Sequence, residues 1–449
     1  MEKLNLKQIL SVSLTLFAIF FGAGNMIFPP AMGQLAGTNY FSALIGFILT
    51  DAGIAILGVT AVVLVGNSMS DLGALISKKF ALILSVGVYL LIGPLFALPR
   101  TGSVSFELAA LPYINTDYKM LFSLLFTGAF FGITYYLSSN PNKIVDIVGK
   151  YLTPFLLLSI LAIFIATIVN INTNGGGSIL GNAAMPKDKY AAIPLFQGMI
   201  EGYNALDGPA GLAFAIIVIN AIKNYGIKEK KNIAKYTILS GLGAAFFLAV
   251  VYFMLTYVGA RTMIPFDNGG ALLHSVTSHL FGGVGGVILG IAVLFACLTT
   301  SIGLTTSFSD YFHTILPNIS YKKIAAIVCV FSFIISNVGL SQLIEISLPI
   351  LIMIYPVTVS LILLSFCKKL IKTKRSVYIL GMLFTFAASF INGLDSAGIQ
   401  IAFISNAVHH LPFYDLSLGW IIPFMFGSLL GFLPIFEFMN KHNEQLETM

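Results

Sequence analysis

Apolar residues gather into long runs along this chain of 449 residues, separated by short polar segments. A helix that crosses the hydrocarbon of a bilayer needs roughly 20 such residues. Runs long enough fall at 9–33, 39–65, 80–100, 120–138, 144–170, 192–220, 234–258, 284–309, 322–338, 342–366, 376–393 and 417–438. The pattern predicts an all-α polytopic membrane protein with 12 transmembrane helices. No long polar linker or low-complexity tract interrupts them, so residues 1–449 are expected to form a single membrane domain.

Two of the runs are broken in their middles. Span one holds "FFGAGNMIFPP", with Gly22, Gly24 and Asn25 centrally and Pro29 and Pro30 just beyond. Span six holds "FQGMIEGYNALDGPAG", where Gly198, Glu201, Gly202, Asn204, Asp207, Gly208 and Pro209 crowd the centre. An isolated span gains nothing from such a weak spot, because freed backbone groups have no water to bond in the hydrocarbon. The outer loop "NINTNGGGSILGNAAMPKDKYAA" divides ten spans into two sets of five, 1–170 and 190–366, and 367–449 supplies spans eleven and twelve. An odd number of spans per set forces the halves into opposite orientation, and each set opens with a broken helix. Paired broken helices in inverted halves point to a transporter's binding site. Glycines that serve only close helix packing are the competing explanation.

Composition fixes the class: 57% of residues are hydrophobic and only 9% charged, against roughly 25% charged in soluble domains, and the mean hydropathy is +0.93. With the amino terminus inside, the cytoplasmic segments hold 19 of the 24 basic residues, Lys3, Lys143, Lys150, Lys372 and Lys441 among them. Arg100, Lys119, Lys187, Lys189 and Arg261 remain on the outer side or in its adjoining spans, as the positive-inside bias expects. Both termini are therefore expected in the cytoplasm of a multi-pass cell-membrane protein. The net charge of +6 calls for membrane lipid as a partner and no nucleic acid, since the basic residues sit in short loops facing anionic headgroups. The first run lacks a small-residue cleavage site and is as long as a full span, so it is expected to be a span and not a signal peptide. Cys297, Cys329 and Cys367 fall in predicted helices without metal-ligand spacing and are expected to pack.

The string "GAGNMIFPP" at 22–30, together with "EGYN" at 201–204, resembles the BrnQ-type carriers of the branched-chain amino acid:cation symporter family, within the amino acid-polyamine-organocation superfamily. The resemblance covers essentially the whole chain. It implies symport of L-leucine, L-isoleucine and L-valine driven by Na+ or, in some members, by protons. It also implies a LeuT-type fold, a 5+5 inverted repeat with broken helices 1 and 6 and two further helices. A second similarity lies in span eight, "LFACLTTSIGLTTSFSDYF". Sodium-coupled members of the wider fold build an ion site from span-one carbonyls, a span-eight carbonyl and two hydroxyl residues that follow it. Carried onto this chain, the site takes the carbonyls of Ala18, Phe21 and Ala296 and the hydroxyls of Thr299 and Thr300.

The residue types suit that chemistry. An amino acid brings a carboxylate and an ammonium group, and a site in the bilayer must replace water around both. Free N–H groups at the start of a half-helix favour a carboxylate, which selects Ala23, Gly24 and Asn25, and glycine, at Gly22 as at Gly24, admits close backbone approach to the ligand. Exposed carbonyls near Phe20 and Gly198 could accept from the ammonium group. Glu201 could bind that group, stabilise the unwound segment or carry a proton, because intramembrane charges default to functional hypotheses. Gly202 and Asn204 flank it, and Phe20, Phe21, Tyr203 and Leu206 are candidate walls for a branched aliphatic side chain. Sodium takes oxygen ligands by the logic of other hard cations, although a buried threonine commonly bonds its own helix carbonyl instead.

Other intramembrane charges have plainer roles open to them. Arg100 could pair with Glu107 or Glu201 as scaffolding, Asp51 could link span two to a neighbour, and Asp207 could cap the second half of span six. Asp310 and Glu345 lie near helix ends, where they could face solvent.

Energy is expected from a gradient, since no G-x-x-x-x-G-K-[ST] string occurs. The six histidines form no H-E-x-x-H motif, and His274 and His279, five apart, are expected in a loop. An enzyme is not expected, nor an organic cofactor. An ion-conducting channel and a proton-coupled carrier using Glu201 remain as alternatives, and oligomeric state is not fixed by these patterns.

Overall fold

A computed structural model describes residues 3–139, 153–174, 179–371, 374–399 and 411–436. Lys143, Lys150, Lys372 and Lys441, the start of span five at 144–152 and the end of span twelve lie outside them. Span one begins with a reciprocal cap: Asn5 Oδ1 accepts the Gln8 N–H at 2.8 Å, and the Gln8 side chain takes the Asn5 N–H at 2.9 Å. Its two halves are Leu6–Phe20 and Ala23–Ala36. Pro29 and Pro30 do not end the second half, which runs on through them to Ala36.

Span two is Tyr40–Ile48 and Ile54–Val65, joined through a π-helical turn at Leu49–Gly53 that carries Asp51. Span three is interrupted as well, between Lys78–Leu90 and Ala97–Ala109, where Gly93 leaves helical geometry before Pro94. Spans four and five are Lys119–Ser138 and Thr153–Asn174. Span six is Pro194–Ala205 followed by Asp207–Asn224, bent by 47°. Lys230–Ala260, Gly269–Ile315, Tyr321–Ser336, Leu340–Phe366, Arg375–Ser396 and Ile421–Leu430 are spans seven to twelve.

Among the described residues eight helices are long and apolar enough to cross a bilayer, nine with the bent pair. Every predicted run contains a helix or helix pair, and no strand is found there, only an isolated bridge between Leu180 and Thr262. Span eight differs from expectation at its start. A helix begins at Gly269, turns at Gly282 (φ 67°) and continues as the span, so His274 and His279 lie on a helix and not in a loop. Cys297 and Cys329 are buried, whereas Cys367 is exposed just past span ten. Asp310 and Glu345 are exposed.

The broken spans sit together. The halves of span one pack against spans seven and eight, span six packs against span two, and span three packs against span eight. Span eleven packs on span ten and span twelve on span eleven, outside this group. Span four turns Met120, Leu121, Leu125 and Ile133 outward, the apolar exterior that a lipid solvent requires.

Candidate functional site

The break in span one is short. Phe21 is extended at φ −70° and ψ 92°, Gly22 follows at φ −125°, and the helix resumes at Ala23. Asn25 closes the turn by accepting the Gly22 N–H on Oδ1 at 3.1 Å. The N–H groups of Ala23, Gly24 and Asn25, in the first turn of the new helix, have no intrahelical acceptor. Asn25 also joins the two breaks, since its Nδ2 donates to Asp207 Oδ2 at 2.7 Å and to the Tyr252 hydroxyl. Tyr252 in turn donates to Asp51 Oδ2. All four side chains are buried.

The break in span six lies later than the glycine cluster predicts. The first half stays helical to Ala205, Leu206 takes a left-handed conformation at φ 74°, and the second half starts at Asp207. Asp207 does not cap this helix: Leu206 holds the N-cap place without a side-chain bond, Asp207 is the first residue inside, and its carboxylate accepts from Asn25. Arg100 is fully buried and takes the free carbonyl end of the first half. Its Nη1 donates to Asn204 O at 2.6 Å, its Nη2 donates to Ser347 Oγ at 3.0 Å, and its guanidinium lies 5.4 Å from the centre of the Phe28 ring. Among the described residues it pairs with neither Glu107 nor Glu201. A cation at a helix C-terminus complements the helix dipole.

Between the breaks lies a cavity with about 30 Å³ in which the centre of a water molecule can sit. Gly22, Ala23, Gly24 and Asn25 form one wall, Ala205, Leu206 and Asp207 another, and Arg100 a polar corner. Phe20, Ala210, Phe214 and Leu304 give it an apolar side, and Thr101 and Thr300 line it as well. Phe21 stays outside, stacked on Phe17 at 5.2 Å.

The span-six candidates have other occupations. A Cβ on Gly198 would lie 1.9 Å from Ala43 O, and one on Gly202 would lie 2.1 Å from Thr50 Oγ1. These glycines let span six lie against span two, so the carbonyl near Gly198 is not presented to the cavity. Tyr203 stacks on Tyr355 at 4.2 Å. Glu201 accepts from the Tyr190 hydroxyl at 3.2 Å and from Asn204 Nδ2 at 3.3 Å. It lines a separate vestibule of about 540 Å³, beside Asp188, Lys189, Tyr414 and Ser417.

Five backbone and side-chain positions singled out for an ion meet on one side of the first break. Thr299 Oγ1 lies 3.1 Å from Ala18 O and 2.8 Å from Ala296 O, and Thr300 Oγ1 lies 3.2 Å from Ile19 O and 3.4 Å from Phe21 O. Two hydroxyl protons face four carbonyl oxygens. Gly22 makes this approach possible, because a Cβ there would lie 2.7 Å from Thr300 Oγ1. Tyr252 and Phe214 were not singled out by sequence reasoning. The one is a hydroxyl in the middle of an apolar span, and the other is one phenylalanine among 38.

A family model described as "Branched-chain amino acid transport protein" matches residues 5–436. The branched-chain amino acid permease BraB of Bacillus subtilis (strain 168) is 40% identical over 436 residues, covering 96% of each chain. The permease BrnQ of the same organism is 40% identical over 438 residues, covering 96% of this chain and 98% of its own. Among solved structures, Mhp1, a nucleobase-cation-symport-1 family transporter in a closed conformation, aligns with a TM-score of 0.61 at 12% identity, over 96% of this chain and 92% of that one. MhsT in complex with L-phenylalanine aligns with a TM-score of 0.57 at 16% identity, over 94% and 97%. A Na+-coupled sialic acid symporter in a substrate-bound outward-open state aligns at 0.52 and 15%, over 94% and 96%. The fold is thus the LeuT type, a 5+5 inverted repeat with broken first and sixth helices, and the chain belongs to the branched-chain amino acid transport protein family.

Proposed function

We propose that this transporter is a secondary symporter that imports L-leucine, L-isoleucine and L-valine together with Na+ by alternating access, both its termini lying in the cytoplasm. The observation that carries the ion assignment is the oxygen cluster at the first break. Four carbonyls turned toward two threonine hydroxyls leave more lone pairs than protons, and a hard cation takes such oxygens without requiring a fixed charge. The sodium ligands are the carbonyls of Ala18, Phe21 and Ala296 and the hydroxyls of Thr299 and Thr300, with Ile19 O adjoining.

The substrate carboxylate is received by the N–H groups of Ala23, Gly24 and Asn25, at the positive end of a half-helix. Carbonyls at the ends of the two first halves, Phe20 and Ala205, accept from its ammonium group. The apolar side of the cavity takes the branched side chain. Spans one, two, six and seven, which pack on one another, rock against spans three, four, eight and nine around this site. Glu201 bonds Tyr190 and Asn204 in the vestibule, which speaks against it as the ammonium partner or a proton carrier at the central site.

Uptake of labelled leucine into proteoliposomes under an imposed Na+ gradient at fixed pH tests the proposal. Accumulation is expected, weakened in Thr300→Ala. Sodium dependence unchanged in that variant removes the ion site. Accumulation driven only by a pH gradient selects the proton-coupled alternative, and conductance without saturable, stereoselective uptake selects a channel.

A further inference from the structure

Asp51 and Asp207 meet side by side, within hydrogen-bonding range of each other, at the centre of the protein. Asp51 is fully buried and Asp207 is 5% exposed. The donors around them can be counted. Asn25 spends both amide protons, one on Asp207 Oδ2 and one on the Tyr252 hydroxyl, and its oxygen accepts from Gly22. Tyr252 spends its single proton on Asp51 Oδ2. Tyr355, the other hydroxyl facing the pair, spends its proton on Thr50 O.

Asp51 Oδ1 is left, buried, with no donor among the described residues. Among the described residues no cation compensates the pair. Arg100 lines the same cavity as Asp207 but bonds Asn204 and Ser347, and Glu201 is turned to the vestibule. Two carboxylates in contact in such a site cannot both be ionised. One proton on the pair supplies the missing donor and removes one of the two charges at once.

We propose that Asp51 and Asp207 form a proton-binding site that holds one proton between two carboxyl groups, taking it from water on one face of the membrane and releasing it to water on the other once per transport cycle. The location ties occupancy to movement. Asp207 opens the second half of span six, Asp51 sits in the π-helical turn of span two, and Asn25 and Tyr252 connect them to the first break and to span seven. When the two breaks part, water reaches the carboxyl groups, a second charge becomes tolerable, and the proton leaves to that water. Asp207 and Thr300 line the same cavity, but the carboxyl pair bonds Asn25 and Tyr252 and the threonine hydroxyls bond span-one and span-eight carbonyls, so the proton count does not depend on the identity of the ion there.

The test counts protons per leucine. The full-length protein is reconstituted in liposomes containing a trapped pH dye, with equal Na+ on both sides and the membrane potential clamped, and labelled leucine is added. Internal pH is expected to change in step with leucine entry, with a ratio near one proton per leucine. The ratio is expected to fall at least tenfold in Asp51→Asn and in Asp207→Asn, and to persist in Asp51→Glu, which keeps a carboxyl group, and in Glu201→Gln. A ratio of zero in the wild type overturns the proposal without recourse to any variant, as does a ratio that survives in Asp51→Asn or is lost in Glu201→Gln. A missing response to an imposed Na+ gradient contradicts the sodium assignment alone and leaves this count untouched.

Discussion

Adding one methyl group at Gly22 tests whether the first break is built around the threonine oxygens. The Gly22 backbone, at φ −125°, suits any residue, so the effect of Gly22→Ala is steric. The new Cβ would lie 2.7 Å from Thr300 Oγ1 and 2.9 Å from Thr300 Cγ2, where ordinary contact begins at 3.4 Å. Spans one and eight must therefore separate by about 0.7 Å. That displacement stretches the approach of Thr300 Oγ1 to Phe21 O, now 3.4 Å, to about 4 Å, beyond hydrogen-bonding distance.

Overpacking of this kind costs about 1–3 kcal/mol, which corresponds to roughly 5- to 150-fold in an equilibrium constant. The Na+ concentration for half-maximal leucine uptake should rise by that factor in Gly22→Ala. Gly87→Ala serves as the control, since a Cβ there meets nothing within 4 Å. Sodium titrations of uptake in proteoliposomes measure both. A Gly22→Ala protein with the sodium dependence of the wild type would refute the reasoning, because the methyl group would then have been absorbed without disturbing the oxygens.

Arg100→Met should lower leucine uptake more than tenfold, because it removes the two bonds that hold the break in span six, and buried hydrogen bonds from a charged group are worth about 1.5–3 kcal/mol each. Uptake by a variant of confirmed thermal stability checks this. Gly198→Ala should destabilise the fold by about 1–3 kcal/mol or more, since its Cβ would lie 1.9 Å from Ala43 O; the melting temperature in detergent reports it. Unlabelled valine, leucine and isoleucine should compete for one site with affinities within about 10- to 200-fold of each other, whereas lysine and glutamate should not compete. Inhibition of labelled leucine uptake measures the ranking.

The contrast between the two breaks shows what the chain's residues disclose and what they conceal. In span one the interruption falls where Gly22 and Asn25 stand, since a glycine beside an amide that can cap the following helix has one evident use. In span six glycine carries two messages. Gly198 and Gly202 serve contact with span two, and the turn itself is made by Leu206, a residue type with no preference for a left-handed conformation.

The polar centre was half visible. Asp51, Arg100 and Asp207 announce themselves as charges in apolar runs, but their partners are a backbone carbonyl, a serine, an asparagine and a tyrosine from distant spans. Such pairings depend on how helices pack and leave no local pattern. Gly93 and Pro94 break span three by familiar local chemistry, and the small size of that break within an apolar run hides it. The proposed ion-site positions became visible through similarity to sodium-coupled carriers of the wider fold, because threonine hydroxyls on an apolar helix have an ordinary use in bonding their own backbone.

The central claim is that the two broken helices create a sodium-supported amino acid site. Equilibrium binding of labelled leucine to the purified protein, in Na+ and in K+ at one pH, measures it without a gradient or a membrane. Saturable binding that requires Na+ and is lost in Thr300→Ala is the predicted result. Equal binding in both salts, retained in that variant, would contradict it.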